Sequence, residues 1–317
     1  MQQPVEVMTQ DKQANGARVS DYLKSWPQYL LPQHRLSNAM FALTRSRTRW
    51  WKTAFINWFI KQYNVDMSEA LDTDPAAYAC FNDFFTRALK PEARPVCSAA
   101  KSLASPVDGF VSQAGKIEHG RIFQAKGQDY TLEELLAEHE DWIPTFADGH
   151  FATIYLSPSN YHRIHMPIAG TLTGMTYVPG RLFSVSPATT RAIPRLFARN
   201  ERVITHFETE SGPMALILVG AIFVGSMETV WQGVITPPHG DTINHWHYKH
   251  AASCLSDSLV STKSKATQAI QLDKGEELGR FNMGSTVILL FPQNRIAWDQ
   301  LHSGQPVRMG QQIATLT

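Results

Sequence analysis

The stretch FNMGSTVILLF, residues 281–291, joins a turn signal to a run of apolar residues. From Thr286 to Phe291 every side chain is apolar or β-branched, and such an unbroken run predicts a strand buried on both faces. Gly284 and Ser285 stand at the entrance of this strand. Both are ordinary turn residues, so a tight turn is the simplest interpretation. The alternative is that Ser285 is a nucleophile held in a turn that only glycine allows.

Similar runs recur after Val96 and predict a β-rich region. They alternate or are wholly apolar, and turn signals separate them: GFVSQAGKI (109–117), HFATIYLS (150–157), GTLTGMTYV (170–178), RVITHFETE (202–210) and MALILVGAIFVG (214–225). Alternation of this kind is typical of antiparallel sheets. One helix is predicted at residues 131–140, where Thr131 and Glu134 form a capping box. The longest apolar run has twelve residues, too few for a membrane-spanning helix.

The first part of the chain is basic and rich in tryptophan. From Tyr22 to Val65 there are seven Lys or Arg, no Asp or Glu, and four of the eight tryptophans. Apolar residues at helical spacing predict an amphipathic helix here, with a stripe of Phe55, Ile56, Phe59, Ile60 and Tyr63. Such a helix can lie in an anionic membrane interface, or pack on the protein core with a solvated basic face. The segment alone leaves both open. Nucleic acid is a weaker third partner, because no binding motif accompanies the charge.

These patterns predict an α+β fold, with N-terminal amphipathic helices in residues 1–66 and a mainly antiparallel, β-rich catalytic domain in residues 67–317. With 43% hydrophobic residues, the chain can bury an ordinary core. A net charge of +1 argues against nucleic-acid binding by the whole protein. The three cysteines form no CxxC pair, which fits a reducing compartment.

Three clusters in the β-rich part each place a polar side chain beside a predicted strand: Asp108, the pair His162 and His165, and Ser285. This set serves when a hydroxyl must lose its proton near neutral pH, because histidine takes the proton and the carboxylate orients the ring. An Asp-Gly turn is an equally ordinary explanation of the first cluster. A GxSxG elbow is absent from the sequence, which argues against an α/β-hydrolase.

A fourth cluster, PPHGDTINHWHYKH at residues 237–250, contains four histidines: His239, His245, His247 and His250. A metal site is conceivable for such a group. The stretch is rich in turn residues, lies between strand-like runs and has no Cys or HExxH frame, which favours a polar surface loop. We therefore predict no metal site. Nucleotide cofactors are not expected either, because GxGxxG and P-loop patterns are absent from the sequence.

The sequence resembles the bacterial phosphatidylserine decarboxylase proenzymes, a family of pyruvoyl-dependent decarboxylases. The matching stretches occur in the family's order: SPVDGFVSQAGKI (105–117), YHRIHMP (161–167), YVPGRLFSV (177–185), LFARNERV (196–203), VGSMETVW (224–231) and GRFNMGSTVILLF (279–291). The combination of Gly-Ser-Thr with YHRIHMP is highly specific. The basic N-terminal segment also resembles the family's membrane-associating helices. One departure is Arg181, which follows Val-Pro-Gly where an acid is expected, so contacts of that loop are expected to differ.

The resemblance implies that the chain makes its own cofactor. Asp108 and His165 would activate Ser285, whose hydroxyl attacks the carbonyl of Gly284. The chain would then be cut into residues 1–284 and 285–317, leaving a pyruvoyl group in place of Ser285. That group would act as the electron sink for decarboxylation of phosphatidylserine to phosphatidylethanolamine and CO2, a step of phospholipid biosynthesis. His162 or His165, with a pKa near neutral by default, would protonate the carbanion.

The resemblance further implies a homodimer of processed pairs, bound peripherally to the cytoplasmic side of the cell membrane. It shifts the interpretation of the N-terminal segment toward an anionic membrane surface. Two alternatives stay open. A serine hydrolase would use the same Asp, His and Ser on an external substrate and keep an intact chain. A non-enzymatic membrane-binding module would be indifferent to Ser285→Ala.

Overall fold

The structure, a computed structural model, describes residues 17–222, 226–248, 269–282 and 285–317. Short helices dominate the first part of the chain and return only as connections later. In the described residues the α-helices are α1 (Val19–Ser25), α2 (Gln33–Thr44), α3 (Arg49–Tyr63), α4 (Phe81–Phe85), α5 (Leu132–Leu136), α6 (Ile143–Phe146), α7 (Pro187–Ala192) and α8 (Leu196–Arg199).

Strands are the main regular structure of the described chain after residue 101. In the described residues they are β1 (Ser102–Ala104), β2 (Gly109–Lys116), β3 (Arg121–Ala125), β4 (Gln128–Thr131), β5 (His150–Leu156), β6 (Arg163–His165), β7 (Gly170–Val178), β8 (Arg202–Thr209), β9 (Gly212–Val219), β10 (Met227–Thr229), β11 (Gly233–Thr236), β12 (Asn244–His247), β13 (Gln271–Leu272), β14 (Glu277–Phe281), β15 (Ser285–Phe291), β16 (Ile296–Trp298), β17 (Pro306–Val307) and β18 (Gln312–Leu316).

The apolar run of residues 285–291 forms β15, near the middle of the largest sheet. The strand order in that sheet is β12-β7-β8-β9-β15-β5-β2-β17, and β13 also pairs with β7. Neighbouring strands in it are antiparallel. Every side chain of β15 is buried, which explains why its sequence shows no alternation. The predicted strand and the predicted α+β fold are both confirmed.

A second sheet, in the order β11-β10-β14-β6, meets the first at the start of β15. Strand β14 ends at Phe281 and β15 begins at Ser285, so three residues connect the two sheets. Strand β6 pairs with β14, which places His165 opposite Glu277. The connection between the sheets therefore lies close to the YHRIHMP stretch.

Two local predictions need correction. The capping box of α5 is confirmed, since Glu134 N donates to Thr131 Oγ1 at 3.2 Å, but the helix ends at Leu136 and not at residue 140. It ends there because Ala137 has a φ of 58°, outside the right-handed helical region. The histidine-rich stretch is not simply a surface loop. His245 and His247 lie on the edge strand β12, paired with β7.

The apolar stripe of α3 packs inside the protein. Ile56 and Phe59 are buried in a second core cluster that includes residues of α4, while Phe55, Ile60 and Tyr63 pack against its side. Lys52 is buried and donates its ammonium hydrogens to the carbonyls of Ala76 and Tyr78, so it does not belong to a solvated basic face. The stripe is therefore core, and other apolar residues of this segment face solvent.

The N-terminal segment packs against residues 180–191, a loop that continues into α7. Asp21 accepts two hydrogen bonds from Arg191, at 2.9 and 3.0 Å, and the backbone N–H of Leu182 donates to Gln33. Arg181, the departure from the family pattern, donates to the carbonyl of Tyr29 at 3.0 Å. These contacts join the segment to the β-rich part, and a domain boundary at residue 66 stays a prediction.

Candidate active site

The sheet register brings the predicted catalytic residues to one edge. Ser285 lies opposite Leu156 of β5, and the preceding residue of β5, Tyr155, lies opposite Phe110 of β2. Asp108 precedes Phe110 by two residues, so it emerges at the same edge as Ser285. The backbone N–H of His165 donates to the carbonyl of Pro106 at 2.8 Å, which brings His165 beside the Asp108 loop.

Ser285 has no exposed surface, and its Oγ has no hydrogen-bond partner in the described part of the chain. The same holds for the side-chain amide of Asn282, the hydroxyl of Thr286 and the hydroxyl of Ser226. Leaving a buried polar atom unpaired costs about 1–3 kcal/mol. Gly284, the other half of the predicted cleavage site, lies outside the described residues. A group of unpaired polar atoms in one place is typical of a functional site.

Asp108 is buried and its carboxylate is fully occupied. Arg94 donates through Nη2 to Oδ2 at 2.6 Å and through Nε to Oδ1 at 2.8 Å, and the backbone N–H of Met309 also donates to Oδ1 at 2.8 Å. Asp108 lies in a bend over residues 106–108, and the next residue, Gly109, begins β2. Glycine is required there because a Cβ would lie 2.5 Å from the carbonyl oxygen of Tyr155.

His165 is held by two partners, neither of which is a predicted catalytic residue. Its Nδ1 lies 2.8 Å from the carbonyl oxygen of Gly275 and its Nε2 lies 2.9 Å from the hydroxyl of Tyr161. A carbonyl only accepts, so Nδ1 carries the proton and Nε2 accepts from Tyr161. Asp108, His165 and Ser285 are thus gathered at one edge, and in this conformation no hydrogen bond joins these three described side chains.

His162 is completely buried, with its ring 4.0 Å from that of Phe85 between centroids. Nδ1 donates to the carbonyl of Asn160 at 2.8 Å, and Nε2 has no partner in the described residues. Burial lowers the pKa of His162 to about 3 and also lowers the pKa of His165. The expectation of near-neutral pKa values is therefore wrong, because burial disfavours the charged imidazolium.

Comparison with known proteins identifies the family of the chain. A family model described as phosphatidylserine decarboxylase matches residues 81–315, and one described as PSD matches residues 23–64. The chain belongs to the phosphatidylserine decarboxylase family. It is therefore a decarboxylase, as the sequence predicted, and the non-enzymatic alternative is wrong.

Curated relatives of this decarboxylase carry the name "Phosphatidylserine decarboxylase proenzyme". The one from Shewanella frigidimarina is 50% identical over 298 residues, which cover 93% of this chain and 99% of the relative. The one from Idiomarina loihiensis is 49% identical, with 94% and 97% covered. The one from Pseudomonas putida strain KT2440 is 52% identical over 288 residues, with 90% and 95% covered.

Several residues at the decarboxylase site were missed in the sequence. Tyr161 lies inside YHRIHMP, so its position beside the histidines was a usable signal. Arg94 lies 14 residues before Asp108 and carries no motif, so only the fold reveals that it binds this carboxylate. Asn282 precedes the predicted cleavage site by two residues, and only its burial without partners draws attention to it.

The fourth histidine cluster does not join this site. His239 is buried and its Nδ1 lies 2.9 Å from Glu201, while His250 lies outside the described residues. Among the described residues, no group of three or more His, Cys, Asp or Glu is arranged to hold a metal ion. A search of the same residues finds no helix with the length and hydropathy to cross a membrane.

Proposed function

We propose that this decarboxylase converts phosphatidylserine to phosphatidylethanolamine and CO2, using a pyruvoyl group that it makes from Ser285. The observation that carries the proposal is the complete burial of an unpaired Ser285 Oγ beside the peptide that it would cleave. In the uncut chain the preceding peptide bond adjoins this hydroxyl, whereas an external substrate would reach it only after a rearrangement that exposes residue 285. This favours self-cleavage over the serine hydrolase alternative. The relatives' name, which includes the word proenzyme, supports the same conclusion.

The self-cleavage begins when Ser285 Oγ attacks the carbonyl carbon of Gly284 and displaces the nitrogen of Ser285. The resulting ester links Gly284 to the side-chain oxygen of residue 285. Loss of the Cα proton of residue 285 then breaks its Cβ–O bond, so Gly284 leaves as a carboxylate and residue 285 becomes dehydroalanine. Water replaces the nitrogen of this residue, ammonia leaves, and a pyruvoyl group begins the chain 285–317. The pyruvoyl carbonyl supplies an electron sink for the decarboxylation.

His165 is suited to receive the Oγ proton because Nε2 is its only basic ring atom while Nδ1–H donates to Gly275. For this transfer the Tyr161 hydroxyl must release Nε2 or pass the proton along. Asp108 stabilises the imidazolium by its charge, and Arg94 with the Met309 N–H fixes that charge in place. For this chemistry, His165 must exchange its present partners for Ser285 and Asp108.

His162 has the free Nε2 lone pair that the second reaction requires. As a neutral imidazole it accepts a proton before it can donate one. We assign it two steps: Nε2 takes the proton that the substrate ammonium must lose, then returns it to the carbon that has lost CO2. The ring of Phe85 covers His162 and keeps water away from that proton.

We further propose that the N-terminal segment binds an anionic membrane surface peripherally, at the cytoplasmic side. The α3 stripe is core, so other residues must provide the contact. Large apolar side chains that face solvent here are Leu23, Trp26, Leu30 and Trp50, with exposures from 68% to 90%. Basic residues share the segment, and an anionic surface attracts each of them by about 1 kcal/mol when it comes close. A homodimer of processed pairs is part of the same proposal.

The decisive experiment is an intact-mass spectrum under denaturing conditions. We expect two chains split between Gly284 and Ser285 in the wild type, the smaller with a pyruvoyl mass, and one inactive chain in Ser285→Ala. Ser98→Ala, at an exposed serine, is the matched control and should be cut normally. Asp108→Asn and His165→Ala should stay uncut. A single full-length mass from active wild type would refute self-cleavage and favour the hydrolase.

A further inference from the structure

Arg87 is a buried cation with no ion pair among the described residues, and its guanidinium carbon lies 5.5 Å from the centre of the Phe84 ring. Arg87 is only 5% exposed, and no carboxylate of the described residues lies within 4.0 Å of its guanidinium. Its Nη2 makes one long hydrogen bond, 3.5 Å, to the carbonyl of Ser159, and its Nε has no partner. Burial lowers the pKa of Arg87, which reflects the cost of removing this charge from water.

Arg87 lines a cavity of about 210 Å³ that adjoins the catalytic residues. Its walls include Asn160 and Tyr161, whose carbonyl and hydroxyl bind His162 and His165. Asp108 also borders the cavity. The cavity is therefore lined by Asp108 and by the residues that hydrogen-bond His162 and His165, one contact away from the two rings.

The other charged walls of this cavity are accounted for. Arg94 pairs with Asp108 and Glu69, and Arg308 pairs with Glu69. Asp66 is exposed and accepts from the backbone N–H of Ser68 at 2.8 Å. Arg87 thus remains as a buried cation of this cavity that pairs with no carboxylate of the described residues, in a space that is polar on several sides.

We propose that Arg87 binds an anionic group of the phosphatidylserine headgroup, its phosphate or its carboxylate, inside this cavity. A guanidinium offers a planar fork of N–H donors that matches either anion. The volume suits a headgroup and leaves the acyl chains outside. Binding there holds the serine amine and Cα toward His162. The proposal rests on phosphatidylserine being the substrate, and it does not depend on how the cofactor arises.

Arg87→Met tests the proposal, because methionine keeps an unbranched apolar stem and removes the charge. We expect this variant to be cut normally and to melt at the wild-type temperature or higher, since a buried unpaired cation is removed. Its KM for phosphatidylserine in mixed micelles should rise roughly tenfold or more, with a smaller change in kcat. The KM of Arg87→Lys should lie between those of the wild type and Arg87→Met, since lysine keeps the charge without the planar fork of donors. Arg121→Gln, a surface arginine paired with Asp129, is the control and should match the wild type.

Inhibition by the product identifies the bound group. Phosphatidylethanolamine keeps the phosphate and lacks the carboxylate. Weaker product inhibition of Arg87→Met therefore indicates that Arg87 binds the phosphate, and unchanged inhibition indicates that it binds the carboxylate. Either result supports the proposal if KM has risen. A KM within about twofold of the wild type in a processed Arg87→Met would overturn it. A lower melting temperature together with a lower kcat and an unchanged KM would also overturn it, because that result indicates a structural role for Arg87. An uncut wild type that still releases CO2 would instead refute the self-cleavage proposal alone.

Discussion

At the scale of single residues, the site is marked by buried polar side chains that have no hydrogen-bond partner among the described residues. Ser285, His162 and Asn282 are buried with polar atoms that have no partner in the described part of the chain. At about 1–3 kcal/mol for each unpaired atom, such an arrangement lowers the stability of the fold. Residues that violate the ordinary rule of satisfied polar atoms are expected where function requires it.

His162 should separate the two reactions. We predict that His162→Gln is cut normally but decarboxylates at least about 100-fold more slowly, because general acid-base catalysis typically contributes 10² to 10⁴. Glutamine retains much of the ring's volume beside Phe85, so loss of packing is limited. Cleavage is read from the intact mass and turnover from CO2 release. His302→Ala, at an exposed histidine, should match the wild type. Wild-type turnover by processed His162→Gln would remove His162 from the mechanism.

At the scale of elements, α3 has a buried apolar stripe and, outside it, an exposed tryptophan, which its sequence pattern did not separate. The stripe of α3 packs on α4, while Trp50 at its start is 75% exposed. A periodic stripe identifies the face that is buried, but not what buries it. The proposed membrane contact of this segment therefore depends on apolar residues outside the stripe.

We predict that Trp50→Gln and Leu30→Gln each weaken binding to anionic vesicles roughly tenfold, because burial of a large apolar side chain contributes about 1.5–3 kcal/mol. Cosedimentation with phosphatidylglycerol vesicles measures the effect, and high salt should weaken the remaining attraction. Cleavage at Ser285 should be unchanged. Phe123→Gln, at an exposed residue of β3, is the control. Equal binding by all three variants would refute the assignment of this surface.

At the scale of the whole molecule, buried histidines couple stability to pH. Burial lowers the pKa of five of them: His139, His150, His162, His165 and His206. In the unfolded chain these histidines bind protons near pH 6.5, whereas in the folded chain they stay neutral at that pH. Their contribution to stability is therefore complete above pH 6.5 and falls as the pH drops. For His162, with a folded pKa of about 3, the loss continues down to about pH 3.

We therefore predict that the free energy of unfolding falls between pH 6.5 and pH 5, by up to about 1.4 kcal/mol per pH unit for each fully shifted histidine. Urea unfolding at several pH values measures this slope. His162→Gln should show a smaller slope than the wild type, because one coupled proton is removed. Constant or rising stability on acidification over this range would contradict the prediction.

The sequence by itself determined the family, the order of the elements and the central strand. It could do so because local patterns carry these features: an unbroken apolar run in β15, a capping box at Thr131, and motifs around Asp108, His165 and Ser285. The family resemblance that these motifs carry also implied the residues that the sheets bring to one edge.

Only the tertiary structure decided the partners and environments of these residues. Arg94 on Asp108, Tyr161 on His165 and Phe85 over His162 are contacts between segments distant in the chain or set by a local bend. Burial sets the pKa of His162 and leaves Arg87 without a counter-ion, and burial depends on how the whole chain packs. A sequence pattern shows which face of an element is apolar. The packing of the elements decides what covers that face. It also decides which buried charge is left without a partner.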